Sequence, residues 1–177
     1  MIQTDRLVLR RWRGADVDPF FAICSDPRVM ATIGPLQTRD QIVAAVARQN
    51  GFQERHGFCF WAIERREDAA MVGFCGIKPG AEGTPIEGEV EIGWRLGFAD
   101  WGKGYAREAA TASLGWAWDR RDIPAVAAIT TVGNSRSWGL MERLGMVRAL
   151  SEDFDHPGVP DDSPLKPHIV YRIARPT

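Results

Sequence analysis

Trp101-Gly102-Lys103-Gly104-Tyr105-Ala106-Arg107-Glu108-Ala109-Ala110 sets two glycines around a lysine directly before a run of helix formers. Upstream, Glu89 to Leu96 reads as a strand, with Val90, Ile92 and Trp94 on one face and Glu89, Glu91 and Arg95 near the other. The local order is therefore strand, glycine turn, helix start. A helix start exposes unpaired N–H groups and the positive end of the macrodipole. Glycine lets an anion approach that backbone closely, so the segment reads as a seat for a phosphorylated ligand.

Three ligands compete for such a turn. A dinucleotide fingerprint needs a third glycine where Arg107 stands and an acidic residue at the end of the next strand, and neither is present. A Walker-type loop fits from Gly97 to Lys103 but needs a hydroxyl residue where Gly104 stands. What remains is a metal-independent nest of backbone N–H groups for a pyrophosphate. A second constellation adds weight to it: Asn134-Ser135-Arg136-Ser137-Trp138-Gly139-Leu140-Met141-Glu142-Arg143-Leu144-Gly145-Met146.

Around these motifs, hydrophobic periodicity predicts alternating elements. Strands are expected at Asp5 to Trp12, Cys59 to Glu64, Met71 to Ile77, Glu89 to Leu96, Ala125 to Val132, Met146 to Leu150 and Ile169 to Ala174. Helices are expected at Asp16 to Ser25, stopped by Asp26-Pro27, and from the Thr38/Gln41 capping box to about Arg55, with Gly57 ending it. Two more run from Ala106 to Asp119 and from the Asn134 cap to Gly145. Ser151 to His168 is long, acidic and proline-bearing, and reads as a surface loop. The expected class is α+β: a mixed, mostly antiparallel sheet of about seven strands with about four helices, in a single domain spanning residues 1–177.

Composition narrows the function. The chain has 177 residues, is 45% hydrophobic and 25% charged, and carries a net charge of −1. That balance argues against a nucleic-acid partner held by broad phosphate attraction. Arg6, Arg10, Arg11 and Arg13 form one basic cluster, read as a solvated strand face. Cys24, Cys59 and Cys75 have no paired spacing, which predicts reduced thiols and a cytoplasmic location. Neither a signal peptide nor an apolar run near the ~20 residues of a membrane helix is visible, so no membrane partner is expected. His56, His156 and His168 lack metal-ligand spacing, and no metal is expected.

Together these motifs resemble the GCN5-related N-acetyltransferase (GNAT) superfamily over nearly the whole chain. Trp101 to Ala106 is similar to its acetyl-CoA pyrophosphate loop, and Asn134 to Met146 to its second cofactor motif. The opening Thr4-Asp5-Arg6-Leu7-Val8-Leu9-Arg10 resembles the branch of ribosomal-protein N-terminal acetyltransferases. The resemblance implies acetyl transfer from acetyl-CoA to a primary amine, directly in a ternary complex. The acceptor would be a small molecule or a protein N-terminus, and a homodimer is compatible with such a fold. It further implies a sheet splayed between its fourth and fifth strands, where the pantetheine arm lies like an extra strand.

Residue by residue, the resemblance assigns the phosphate cradle to the N–H groups of Gly102, Lys103, Gly104, Tyr105 and Ala106, with Trp101 leading the loop and charge from Lys103 and Arg107. Trp94, Arg95 and Leu96 would give main-chain hydrogen bonds to pantetheine, with Gly93 allowing a bulge. Glu91 is the candidate general base. The tyrosine that many members use to protonate the thiolate is replaced by Met141, leaving Ser137 as the nearest acid. Asn134 would both cap its helix and bond pantetheine. Trp116 and Trp118, and Phe60 and Trp61, read as packing residues. The acidic loop with Asp153, Asp155, Asp161 and Asp162 is either solvated surface or a lure for a cationic amine. The missing tyrosine leaves one alternative, a CoA-binding regulatory module with little turnover.

Overall fold

In the computed structural model, which describes residues 1–120 and 122–177, the alternating segments assemble into one sheet. Its strands are β1 (Ile2–Gln3), β2 (Leu7–Arg10), β3 (Phe60–Arg65), β4 (Met71–Pro79), β5 (Val90–Leu96), β6 (Ala125–Thr131), β7 (Val147–Arg148), β8 (Phe154–Asp155) and β9 (Pro167–Ala174). They run in the order β1-β2-β3-β4-β5-β6-β9-β7, with β8 also paired to β9. The helices are α1 (Val17–Cys24), α2 (Pro27–Met30), α3 (Arg39–His56), α4 (Tyr105–Trp118) and α5 (Ser135–Arg143).

The sheet thus has nine strands rather than seven, and five helices rather than four. The additions are short. β1 and β8 are two residues each, too brief to show periodicity. α2 begins just where Asp26-Pro27 stops α1: the Asp26 carboxylate accepts from the Arg28 N–H, and Pro27 fits the first helical position. The capping box at Thr38 and Gln41 is formed, and Gly57 closes α3 in the left-handed region at φ 80°.

Strands β1 to β5 form an antiparallel meander. The chain then crosses over through α4 and returns as β6, parallel to β5. One register pair, Glu91 with Ala127, joins these two strands, so they part beyond it. This is the expected splay. Side chains alternate across β5. Trp94 pairs in register with Cys75, whose Sγ lies 3.8 Å from Ser113 of α4, so Ile92, Trp94 and Leu96 face α4. Glu91, Gly93 and Arg95 face the α1 side, where Phe20 meets Phe74 at 5.8 Å.

The N-terminal motif has a structural role. Thr4 and Arg6 both bind the Glu108 carboxylate near the start of α4, and the Arg6 Nη1 donates to the Lys103 carbonyl at 2.9 Å. The expectation of a solvated arginine face fails at Arg10, which is 5% exposed. Its guanidinium makes a forked pair with Asp16, at 2.8 Å on both nitrogens, and reaches Glu64 at 2.7 Å. Strand alternation alone could not show that α1 and β3 bring carboxylates under it.

Candidate active site

At the carboxyl end of β5, Gly102 and Gly104 adopt φ 75° and 84°, a conformation that L side chains rarely hold. Gly104 is the N-cap of α4. None of the N–H groups of Gly102, Lys103, Gly104, Tyr105, Ala106 and Arg107 donates a hydrogen bond to a described residue. Their donors point into a turn with room beside it: a Cβ built on Gly102 meets no atom within 4 Å. Such a turn fits a pyrophosphate. Lys103 is engaged with Asp100 at 3.0 Å, and Arg107 is exposed. Trp101 is half-buried; its indole N–H donates to the Leu96 carbonyl at 3.0 Å, and Arg136 of α5 lies 4.8 Å from its ring centroid.

Because β5 and β6 are parallel, α4 and α5 both start at the same end of the sheet. Asn134 caps α5, accepting the Ser137 N–H through its Oδ1 at 3.4 Å, which confirms the capping half of its expected role. Ser137 is half-buried in the first turn. Met141 is 2% exposed and packs in the main core.

The edge of β5 that faces the splay is defined by its partner on the other side. Gly97 donates to the Val72 carbonyl at 3.0 Å, so Gly97 and Arg95 are the hydrogen-bonded positions against β4. Trp94 and Leu96 therefore turn their backbone groups toward the gap. Arg95 does not: its main chain pairs with Phe74 of β4. Nor is there a bulge at Gly93, where the register runs on unbroken through Gly76. Glycine is required there for another reason, since a Cβ would stand 2.7 Å from the Phe60 ring. Phe60 and Phe74 stack with centroids 5.1 Å apart and an interplanar angle of 11°.

Glu91 is 8% exposed and forms an ion pair with Lys78. Burial pushes its carboxyl above the ordinary value, and the Lys78 ammonium offsets part of that rise. The Lys78 ammonium also lies 5.3 Å from the Phe60 ring centroid. Lysine at 78 carried no signal in the sequence; it joins Glu91 through the β4–β5 register. Glu91 and Ser137 are not brought together. One lies at the amino end of β5 and the other beyond the carboxyl end of β6, with several residues of roughly 3.3 Å rise between.

Other sequence expectations find their places. Trp116 packs edge-on against Trp61 at 5.2 Å and against Phe58 at 6.0 Å. All three cysteines are free and buried. Asp161 pairs with Lys166 and Asp153 with Arg148, so much of the acidic loop is neutralised. The His156 and His168 rings meet at 4.9 Å, tilted by 48°, a pairing that strand β8 creates and sequence spacing does not show. Among the described residues, no group of three or more His, Cys, Asp or Glu could hold a metal ion, and no helix is long and apolar enough to cross a membrane. Two surface depressions, of about 370 and 520 Å³, lie around Asp5 and Arg6 rather than in the splay. An open gap between strands is not an enclosed cavity, and the backbone donors mark the site better.

If this turn holds the pyrophosphate of acetyl-CoA, Gly104→Val is expected to weaken binding by roughly ten- to a hundredfold, because the left-handed turn must relax and its N–H bonds to the anion would be lost. Lys103→Ala, which removes only a side chain already paired with Asp100, is expected to cost far less. Calorimetric titration of the two variants checks the difference.

Comparison with known proteins gives four consistent findings. The model of the acetyltransferase (GNAT) domain family matches residues 6–147. An uncharacterized protein of Bacillus subtilis (strain 168), YkkB, is 32% identical over 146 residues, which is 81% of this chain and 83% of the relative. Among solved structures, a GNAT-family acetyltransferase from Bacillus anthracis superposes with a TM-score of 0.79 at 23% identity, covering 98% of both chains. RimL, a ribosomal L7/L12 alpha-N-protein acetyltransferase in complex with coenzyme A, superposes at 0.76 with 15% identity, covering 97% of this chain and 95% of that one.

Proposed function

The chain belongs to the acetyltransferase (GNAT) family, and from that premise we propose that it moves the acetyl group of acetyl-CoA onto a primary amine by direct attack in a ternary complex. One observation carries the reading. The splay between β5 and β6 opens onto a turn of unused backbone N–H groups, so a pantetheine arm and its pyrophosphate have matching partners in line. Gly102 to Ala106 hold the pyrophosphate, with Arg107 and Lys103 adding charge nearby. Trp94 and Leu96 extend hydrogen bonds to pantetheine, and Asn134 offers the amide end that its cap leaves unused.

The chemistry follows from what lies along that line. The acceptor must lose a proton before its lone pair attacks the thioester carbon. Glu91, buried and with a raised pKa, takes that proton directly or through a water. The new C–N bond forms, a main-chain N–H in the Trp94–Leu96 stretch steadies the oxyanion, and the C–S bond breaks. The departing thiolate takes its proton from solvent, because Ser137 stands several residues further along the sheet than Glu91. No cysteine lies in the glycine turn or at the start of α5, so nothing there suggests a covalent intermediate on cysteine.

Acetyl-CoA is expected to bind at tens of micromolar or tighter in a calorimetric titration, and failure to bind sinks the reading. A second reading, a CoA-binding module with little turnover, is favoured by one observation: Met141 is core, so the usual tyrosine acid is missing. Release of free CoA thiol in the presence of an amine panel separates the two.

A further inference from the structure

Arg95 has donors that the fold does not use. Its side chain projects from the same face of β5 as Glu91 and Gly93 and reaches the carboxyl end of α1, where Nη1 donates to the Cys24 sulfur at 3.1 Å. Sulfur is a weak acceptor. The Nε atom is buried with no hydrogen-bond partner among the described residues. No carboxylate pairs with this guanidinium among them either. Other inward-reaching arginines are matched: Arg10 pairs with Asp16, Arg65 with Asp100, Arg148 with Asp153 and Arg172 with Glu89, while Arg175 donates to the Trp118 and Arg120 carbonyls. An unpaired, partly buried guanidinium is costly to keep, and such costs concentrate where a ligand completes the pairing.

The surroundings say what that ligand is. Between Arg95 and Glu91 lies a flat apolar floor of Gly93 and the stacked rings of Phe60 and Phe74, with the Arg95 guanidinium carbon 5.7 Å from the Phe74 centroid. Glu91 is already matched by Lys78, so of these three charged groups the Arg95 guanidinium is the one left without a counter-charge. A purely cationic amine gains nothing there. We propose that the acceptor is a small primary amine that also carries an anionic group, a carboxylate or a phosphate, and that Arg95 receives that group while the amine reaches the thioester. This rests on the acetyltransferase reading above and adds the acceptor class to it. Arg95 then acts as a specificity residue, its planar fork matching an oxyanion bidentately.

The test compares matched amines with and without the anion: gamma-aminobutyrate against butylamine, aminohexanoate against hexylamine, phenylalanine against phenethylamine, and aminopropylphosphonate as the phosphate arm. Initial rates of CoA release give kcat/KM for each. The wild-type protein is expected to favour the anionic member of at least one pair by tenfold or more. In Arg95→Gln that preference collapses toward unity, and Arg95→Lys, which keeps the charge but loses the fork, falls between. Superiority of the phosphonate or of a carboxylate identifies the anion. Equal use of both members by the wild type, or a preference that survives Arg95→Gln while acetyl-CoA still binds that variant, overturns the inference and leaves the acetyltransferase reading intact. Binding of acetyl-CoA without turnover of any amine overturns both.

Discussion

Glu91→Gln is expected to lower kcat/KM for amine acetylation by about a hundredfold to ten-thousandfold, the range for loss of a positioned general base. The substitution keeps the size of the side chain and its capacity to accept from Lys78, so the fold and cofactor binding should hold. The pH profile carries the sharper signature. A base works only when deprotonated, and burial raises the Glu91 pKa above the ordinary carboxylate value. Activity should therefore rise with pH through a limb displaced upward from that value, and the limb should vanish in Glu91→Gln. Lys78 favours the charged form of Glu91. Lys78→Met should accordingly move the limb to still higher pH without abolishing it. Steady-state rates across pH, with an acceptor amine of known pKa, separate this limb from the titration of the acceptor itself. An unchanged rate and profile in Glu91→Gln would remove the residue from the mechanism.

The largest loss of stability is expected from Asp16→Ala. Asp16 is 3% exposed, holds two nitrogens of Arg10 and accepts from the Arg13 N–H at 2.7 Å. Removing it leaves a buried guanidinium with Glu64 as its one carboxylate and the Arg11 carbonyl as its other partner. Breaking a buried pair in this way costs about 3–5 kcal/mol. At roughly 2–4 °C per kcal/mol for a domain of this size, the melting temperature should fall by about 6–20 °C. Burial opposes ionisation of Asp16, but hydrogen bonds from Arg10 and Arg13 outweigh it and hold its pKa below the ordinary value. A depressed carboxylate adds stability that is present above the unfolded pKa and lost as pH falls through the folded one. The difference between wild type and Asp16→Ala should thus be full at neutral pH and shrink in acid, below the usual aspartate range. Thermal melts at neutral and acidic pH measure both effects.

The glycine turn, the α3 capping box and the β5-to-α4 order were legible in the sequence because each is a local code. A left-handed turn needs glycine, and a cap needs a hydroxyl three residues from a glutamine. Glu91 could be nominated for the same reason, as a carboxylate on the strand that leads into the turn. Lys78, Phe74 and the Cys24 contact could not, because only the antiparallel register and the position of α1 bring them beside Glu91 and Arg95. The parity of β5 was not legible either: which of its residues turn their backbone to the gap depends on the bond from Gly97 to Val72, a partner 25 residues away in the chain. Arg10 was misread because a charged residue on an alternating strand is indistinguishable from an exposed one until its carboxylates arrive.

The single pairing between Glu91 and Ala127 also bears on how the molecule comes apart. The sheet consists of two bonded halves, β1 to β5 and β6 to β9, stitched by this one pairing and tied across by side chains such as Arg172 of β9 on Glu89. Cooperative unfolding depends on contacts that cross such a seam. A ligand strand laid into it would supply the missing ladder, so a cofactor bound there would become part of what makes the two halves melt as one body.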